Sequence, residues 1–101
     1  MAHKATTLIG LAWYRAEDYP VLRAMFADGR KLQATYQEWV EEAQRTYTFL
    51  IGEGFHVIKI SIDPDLFPAW CAKRGIAMDA DARSRYAQEF VATYDLLAPD
   101  K

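Results

Sequence analysis

The stretch Thr35 to Leu50, TYQEWVEEAQRTYTFL, constrains the chain more than any other. Tyr36, Trp39, Val40, Ala43, Tyr47, Leu50 and Ile51 recur at steps of three and four, which places them on one side of an α-helix. That side must be buried. Thr35 followed three residues later by Glu38 reads as a capping box, in which the hydroxyl accepts from a free N–H of the first turn and the carboxylate reaches back to the cap. A helix from about Tyr36 to Gly52 is therefore expected, broken by Gly52-Glu53-Gly54.

A fainter echo lies downstream. Sliding the chain by 47 residues pairs Glu42 with Glu89, Thr46 with Thr93, Tyr47 with Tyr94, Leu50 with Leu97 and Trp39 with Tyr86. The same offset sets Leu8 to Tyr14 over Phe55 to Ser61, and Asp18 over Asp65. Two readings stand beside each other: an internal duplication of a strand-helix-helix unit, with repeats at 8–51 and 55–97, or the coincidental similarity of amphipathic helices.

Around this helix the chain punctuates itself into five further elements. Thr7 to Tyr14 (TLIGLAWY) is a short apolar run, expected as a strand buried on both faces, although Gly10 and Ala12 are poor strand formers and leave a helix open. Asp18 and Pro20 start a helix that Asp28-Gly29 closes, with Arg30 to Ala34 as connector. Phe55 to Ile62 alternates, with His56, Ile58, Ile60 and Ile62 on one side and Val57, Lys59 and Ser61 on the other, as a strand with one wetter face does. Asp63-Pro64-Asp65 opens a third helix, with Asp63 as cap, which Gly75 ends. Asp79 or Asp81 caps a fourth, in which Ala82, Tyr86, Phe90, Tyr94 and Leu97 face inward. The expected class is α/β (α+β), one domain, two strands and four helices in the order β-α-α-β-α-α.

Composition narrows function mainly by exclusion. The chain has 101 residues, 51% of them hydrophobic, enough for one core. A formal charge of −2 lacks the basic excess of non-sequence-specific nucleic-acid binders, so nucleic acid is not an expected partner. No apolar run resembles a signal peptide or a membrane span, and a single cysteine fits a reducing compartment, so a cytoplasmic protein without membrane contact is expected. With Cys71, His3 and His56 as the only soft ligands, neither a metal nor another cofactor is expected.

No phosphate loop, dinucleotide fingerprint, nucleophile elbow, zinc-protease helix or paired-cysteine motif occurs. Five local groups remain, each with a plain alternative. Trp13, Tyr14 and Arg15 leave the first strand, where α/β sheets gather ligands, and Arg15 could hold a carboxylate or phosphate. The plain alternative packs both aromatics and pairs Arg15 with Glu17 or Asp18. His56 could act as acid or base beside Glu53, or simply face solvent at a strand start. Cys71 shares an apolar face with Phe67 and Trp70, which suits an inert core thiol, and Asp63 and Asp65 serve as caps more simply than as cation ligands. Arg74, Arg83 and Arg85, with Lys73, are the densest basic group: a site for an acidic partner or nucleic-acid backbone, or a solvated helix face.

Taken together, Ala12 to Arg15, Ala34 to Trp39, Lys59 to Asp63, Ala69-Trp70-Cys71 and Ala82 to Tyr86 resemble a group of small uncharacterised bacterial proteins of about this length. That resemblance implies a bacterial origin and a compact stand-alone domain, and it assigns no activity, cofactor or site. From the residues alone the leading expectation is a non-enzymatic protein-interaction or regulatory module, a homodimer whose strands pair between copies. The competitor is an anion-binding or catalytic protein with a cleft near Trp13, Tyr14, Arg15 and His56.

Overall fold

The computed structural model describes residues 7–97. Two strands and four helices follow the expected order: β1 (Leu8–Trp13), α1 (Tyr19–Met25), α2 (Tyr36–Gly52), β2 (His56–Ser61), α3 (Leu66–Arg74) and α4 (Ala80–Leu97), with a 3-10 turn at Gly29–Lys31. The strands lie side by side and parallel, Leu8 opposite His56 and Trp13 opposite Ser61. Parallel neighbours need a long crossover, and α1 with α2 supply it. No helix among the described residues is long and apolar enough to cross a membrane.

Side chains alternate across this small sheet, so Leu8, Gly10 and Ala12 share a face with Ile58 and Ile60, while Ile9, Leu11 and Trp13 share the other with Val57, Lys59 and Ser61. α4 lies on the first face, across Gly10, and α2 on the second, where Trp39 and Tyr47 meet Trp13. The expectation that β1 is buried on both faces needs correcting. Only Gly10 is fully buried in β1 and the rest of the strand is half-buried, because one helix per face cannot cover both strands. The wetter face of β2 also differs from expectation: Val57 is buried and its neighbours Lys59 and Ser61 are exposed, while Ile58 and Ile60 are only half covered.

Gly10, a poor strand former, is what admits α4. A Cβ there would overlap the Ala87 carbonyl oxygen and sit 2.6 Å from Val91 Cγ2. Its N–H, pointing away from β2, donates to Gln88 Oε1 at 2.6 Å. The central outward N–H of β1 is therefore capped by a side chain of the helix above it.

Helix ends follow the sequence at three points. The capping box of α2 forms with both bonds, Glu38 N–H to Thr35 Oγ1 at 3.2 Å and Thr35 N–H to Glu38 Oε1 at 3.3 Å. Gly75 ends α3 at φ 65°, and Asp79 rather than Asp81 caps α4, accepting from Ala82 N–H at 2.9 Å. Three expectations shift. α1 stops at Met25, before Gly29, and Gly29 adopts no positive φ. It is required instead because a Cβ would overlap the Arg23 carbonyl oxygen. Asp18 stands at the N-cap of α1, yet its carboxylate accepts from Arg15 instead of the backbone. α3 begins at Leu66 rather than Pro64; Asp63 Oδ1 accepts from Asp65 and Leu66 N–H at 2.7 and 2.9 Å, an extra turn before the helix.

The core gathers beyond the C-terminal ends of the strands. Trp39 is its hub, with ring centroids 4.5 Å from Tyr14, 5.1 Å from Trp13 and 5.9 Å from Tyr19. Phe26 passes the contact on to Phe67, and Phe67 to Tyr86, so all four helices meet in one cluster. The inward stripe expected for α4 holds at Ala82 and Tyr86 and fails at Phe90, which is 45% exposed. The expected burial of Tyr94 and Leu97 falls on side chains outside the described ones.

Candidate functional site

Trp13, Tyr14 and Arg15 leave β1 in three different directions. Trp13 turns to the α2 face, where Lys59 Nζ sits 4.1 Å from its ring and 4.5 Å from that of Tyr47. Tyr14 enters the core, 4% exposed, and burial pushes its hydroxyl up to about 12, the neighbouring Arg83 opposing. Arg15 alone reaches the surface. Its guanidinium is held by Asp18 at 2.9 Å and Glu17 at 3.5 Å. His56 opens β2, and in a parallel pair it lies a strand's length from Trp13, about 16 Å at 3.3 Å per residue, at the end of the sheet away from Arg15. The structure does not bring His56 to the other three.

A cavity of about 420 Å³ does occupy the C-terminal ends of the strands, lined by Arg15, Asp18, Lys59, Ser61, Asp63 and Phe90 among others. Its charges do not select an anion. Asp63 fills the first turn before α3, where the N–H groups of Leu66 and Asp65 hold its carboxyl below the usual range. Asp18 adds a second carboxylate, already paired with Arg15.

The basic group of the sequence is divided by the fold. Arg83 is 5% exposed and donates to both carboxylate oxygens of Asp28, at 2.8 and 3.1 Å, with its guanidinium 4.3 Å from the Phe26 ring. This corrects its expected place on a basic surface: it ties α4 to the turn after α1. The bond from Arg83 is the main cause holding the Asp28 carboxyl below the usual range. Arg74 and Arg85 remain outside, near Trp70, with guanidinium carbons 4.2 and 6.0 Å from its ring.

Between α3 and α4, Trp70 and Arg74 border an open groove of about 700 Å³. Helical spacing builds it: Leu66, Ala69, Trp70 and Lys73 recur along one side of α3, and Tyr86 with Phe90 along one side of α4. Leu66 is 59% exposed. Trp70 is fixed from three directions, its Nε1–H donating to Glu89 Oε1 at 3.2 Å, its ring stacked on Phe67 and set edge-on to Tyr86. The periodicity of α4 assigns Phe90 to the buried side. The missed signal is a second stripe on α4, Arg83, Ala87 and Val91, which takes the inward position against β1.

The second open feature is the outer edge of β2. His56 and Ile62 donate their N–H groups to Thr7 and Trp13 of the β1 side, at 2.9 Å each. The alternation of a parallel ladder then turns the N–H and C=O groups of Val57, Lys59 and Ser61 away from β1. No described residue pairs with them.

Cys71 is 2% exposed in the core, and burial raises its thiol. Among the described residues no group of three or more His, Cys, Asp or Glu side chains converges as metal ligands. Comparison with protein-family models, with curated proteins and with solved structures gives no match to this chain.

Proposed function

We propose that the chain is a non-enzymatic, dimeric protein-interaction module, whose two copies join through the outer edges of β2. The observation that carries this reading is the contrast between the strand edges: Gln88 caps the Gly10 N–H at the middle of the outer edge of β1, while no described residue pairs with the outward N–H and C=O groups of Val57, Lys59 and Ser61 on β2. An open edge is a template for another strand. Two antiparallel β2 strands related by a two-fold axis would satisfy those groups reciprocally and give a four-stranded sheet. A two-fold centred on Ile58 or Ile60 avoids setting Lys59 against its own copy, which like charges disfavour. Whichever of the half-covered Ile58 and Ile60 lies on the axis would then meet its equivalent across the junction.

Sedimentation velocity on the full chain at micromolar concentration tests this reading. A particle of twice the chain mass is expected. Lys59→Pro removes an outward N–H that meets only solvent in one copy, so it should halve the mass while circular dichroism stays unchanged. A monomer at all concentrations, or a dimer indifferent to Lys59→Pro, contradicts the reading.

A further inference from the structure

We infer that the groove between α3 and α4 is a docking site for an acidic amphipathic helix of a partner protein. The inference rests on the chain being an interaction module and names the partner's chemistry; it does not depend on the dimer.

Shape favours a helix. The groove is walled by two helices whose backbone groups are already engaged, so it offers an extended strand nothing to pair with. It offers instead a row of apolar contacts, Leu66, Trp70 and Phe90, that anchors spaced three and four residues apart can fill. Trp70 is held in place before any partner arrives, by Glu89, Phe67 and Tyr86, which lowers the ordering cost of binding. Tryptophan and arginine at the centre of an apolar patch are the residue types that dominate binding energy.

Charge selects the sign of the partner. Lys73 and Arg74 line the groove and Arg85 stands 6.0 Å from its Trp70 ring, against Glu89, which Arg74 and Trp70 already engage, and Asp63 of the adjoining cavity, which the N–H groups of Asp65 and Leu66 already hold. Among the described residues neither Lys73 nor Arg85 has a carboxylate partner. The rim is thus basic on a chain whose formal charge is −2, and rim charges set partner choice and encounter rate. A second copy of this chain fits poorly. Its acidic helix surface on α2, with Glu41 and Glu42, also carries Arg45, and its two large exposed apolar residues, Phe49 and Ile51, are two positions apart and so do not form one row to span Leu66 to Phe90.

The test uses the full chain and a labelled synthetic helical peptide of about 18 residues, the length of α4. The peptide carries leucine and phenylalanine at every third or fourth position and glutamate elsewhere; a twin replaces each glutamate with lysine. Fluorescence anisotropy should give the acidic peptide a Kd in the tens of micromolar and the basic twin one at least about tenfold weaker. Phe90→Glu should abolish binding. Lys73→Glu with Arg85→Glu should invert the preference toward the basic twin, and since both positions are exposed the double variant should keep the circular dichroism of the parent. No binding of either peptide up to about 1 mM, or equal binding of both, overturns the inference. So does a Phe90→Glu variant whose oligomeric mass falls, since the groove then belongs to a second copy. A monomer that still binds the acidic peptide defeats the dimer reading alone, and a dimer that binds neither peptide defeats the groove alone.

Discussion

The two halves of the chain, each a strand, a short helix and a long helix, close their sheet edges differently. The offset of 47 residues that aligns them sets Tyr19, first residue of α1, on Leu66, first residue of α3, and Asp18 on Asp65 at the two N-caps. It also sets Gly10 on Val57, Ala87 on Val40 and Gln88 on Glu41. α4 approaches β1 closely because Gly10 and Ala87 have little or no side chain at the crossing. α2 rests more loosely over β2, with larger residues at the equivalent positions. Gln88 caps a strand edge, whereas Glu41 accepts from Gln37 on its own helix. Small side chains at one crossing thus let a helix cap a strand-edge N–H that larger ones leave uncapped.

That comparison can be broken or sharpened by substitution. The largest effect should come from the paired aromatics at the centre of each half: Trp39→Ala and Tyr86→Ala should each lower stability by about 4 kcal/mol in urea unfolding. A Tyr86 effect far below that of Trp39 would show that the second half contributes little to the shared core. Arg83→Met should cost about 3 kcal/mol, because it strands Asp28 beside an apolar wall, and adding Asp28→Leu should recover most of it. The same pair sets a pH dependence. The Asp28 carboxyl is held low in the folded protein, so its contribution is complete above the unfolded value near 4 and is lost as pH falls through the folded value. Unfolding midpoints taken between about pH 5 and pH 2 should fall less steeply in Asp28→Asn than in the parent.

Smaller effects follow at the crossings and ends. Gly10→Ala should cost about 2 kcal/mol by calorimetry, since the new Cβ meets backbone that cannot yield without lifting α4. Thr35→Ala should cost about 1 kcal/mol through loss of the α2 cap. Phe90→Ala, for all its size, should change stability by about 0.5 kcal/mol or less, because nearly half of it already faces water. A loss comparable to that of Trp39→Ala would make Phe90 a core residue rather than the wall of a groove.

Fold class and element order were legible because turn and cap residues divide the chain cleanly. Thr35 with Glu38, and Gly75 after Lys73-Arg74, act through local bonds that sequence spacing alone specifies. Strand orientation was not legible, since it depends on how α1 and α2 cross over the sheet. The candidate cleft failed for the same reason. Trp13, Tyr14, Arg15 and His56 sit near strand ends in sequence, but parallel strands carry His56 to the opposite end of the sheet. The groove was hidden because α4 carries a second buried row, Ala87 and Val91, beside Ala82 and Tyr86; the contact of that row with Gly10 leaves Phe90, at the far side of the first, outside. Arg83 was misplaced because its partner Asp28 lies 55 residues away, beyond any local pattern.

Residue-resolved amide exchange by NMR, repeated across a dilution series, measures the asymmetry of the two strand edges directly. The expected result is that the Gly10 amide stays protected at every concentration, while those of Val57, Lys59 and Ser61 are protected when the protein is concentrated and lose protection together on dilution. Fast exchange of those three amides at all concentrations, or fast exchange at Gly10, would contradict a sheet sealed at β1 and joined to its copy at β2.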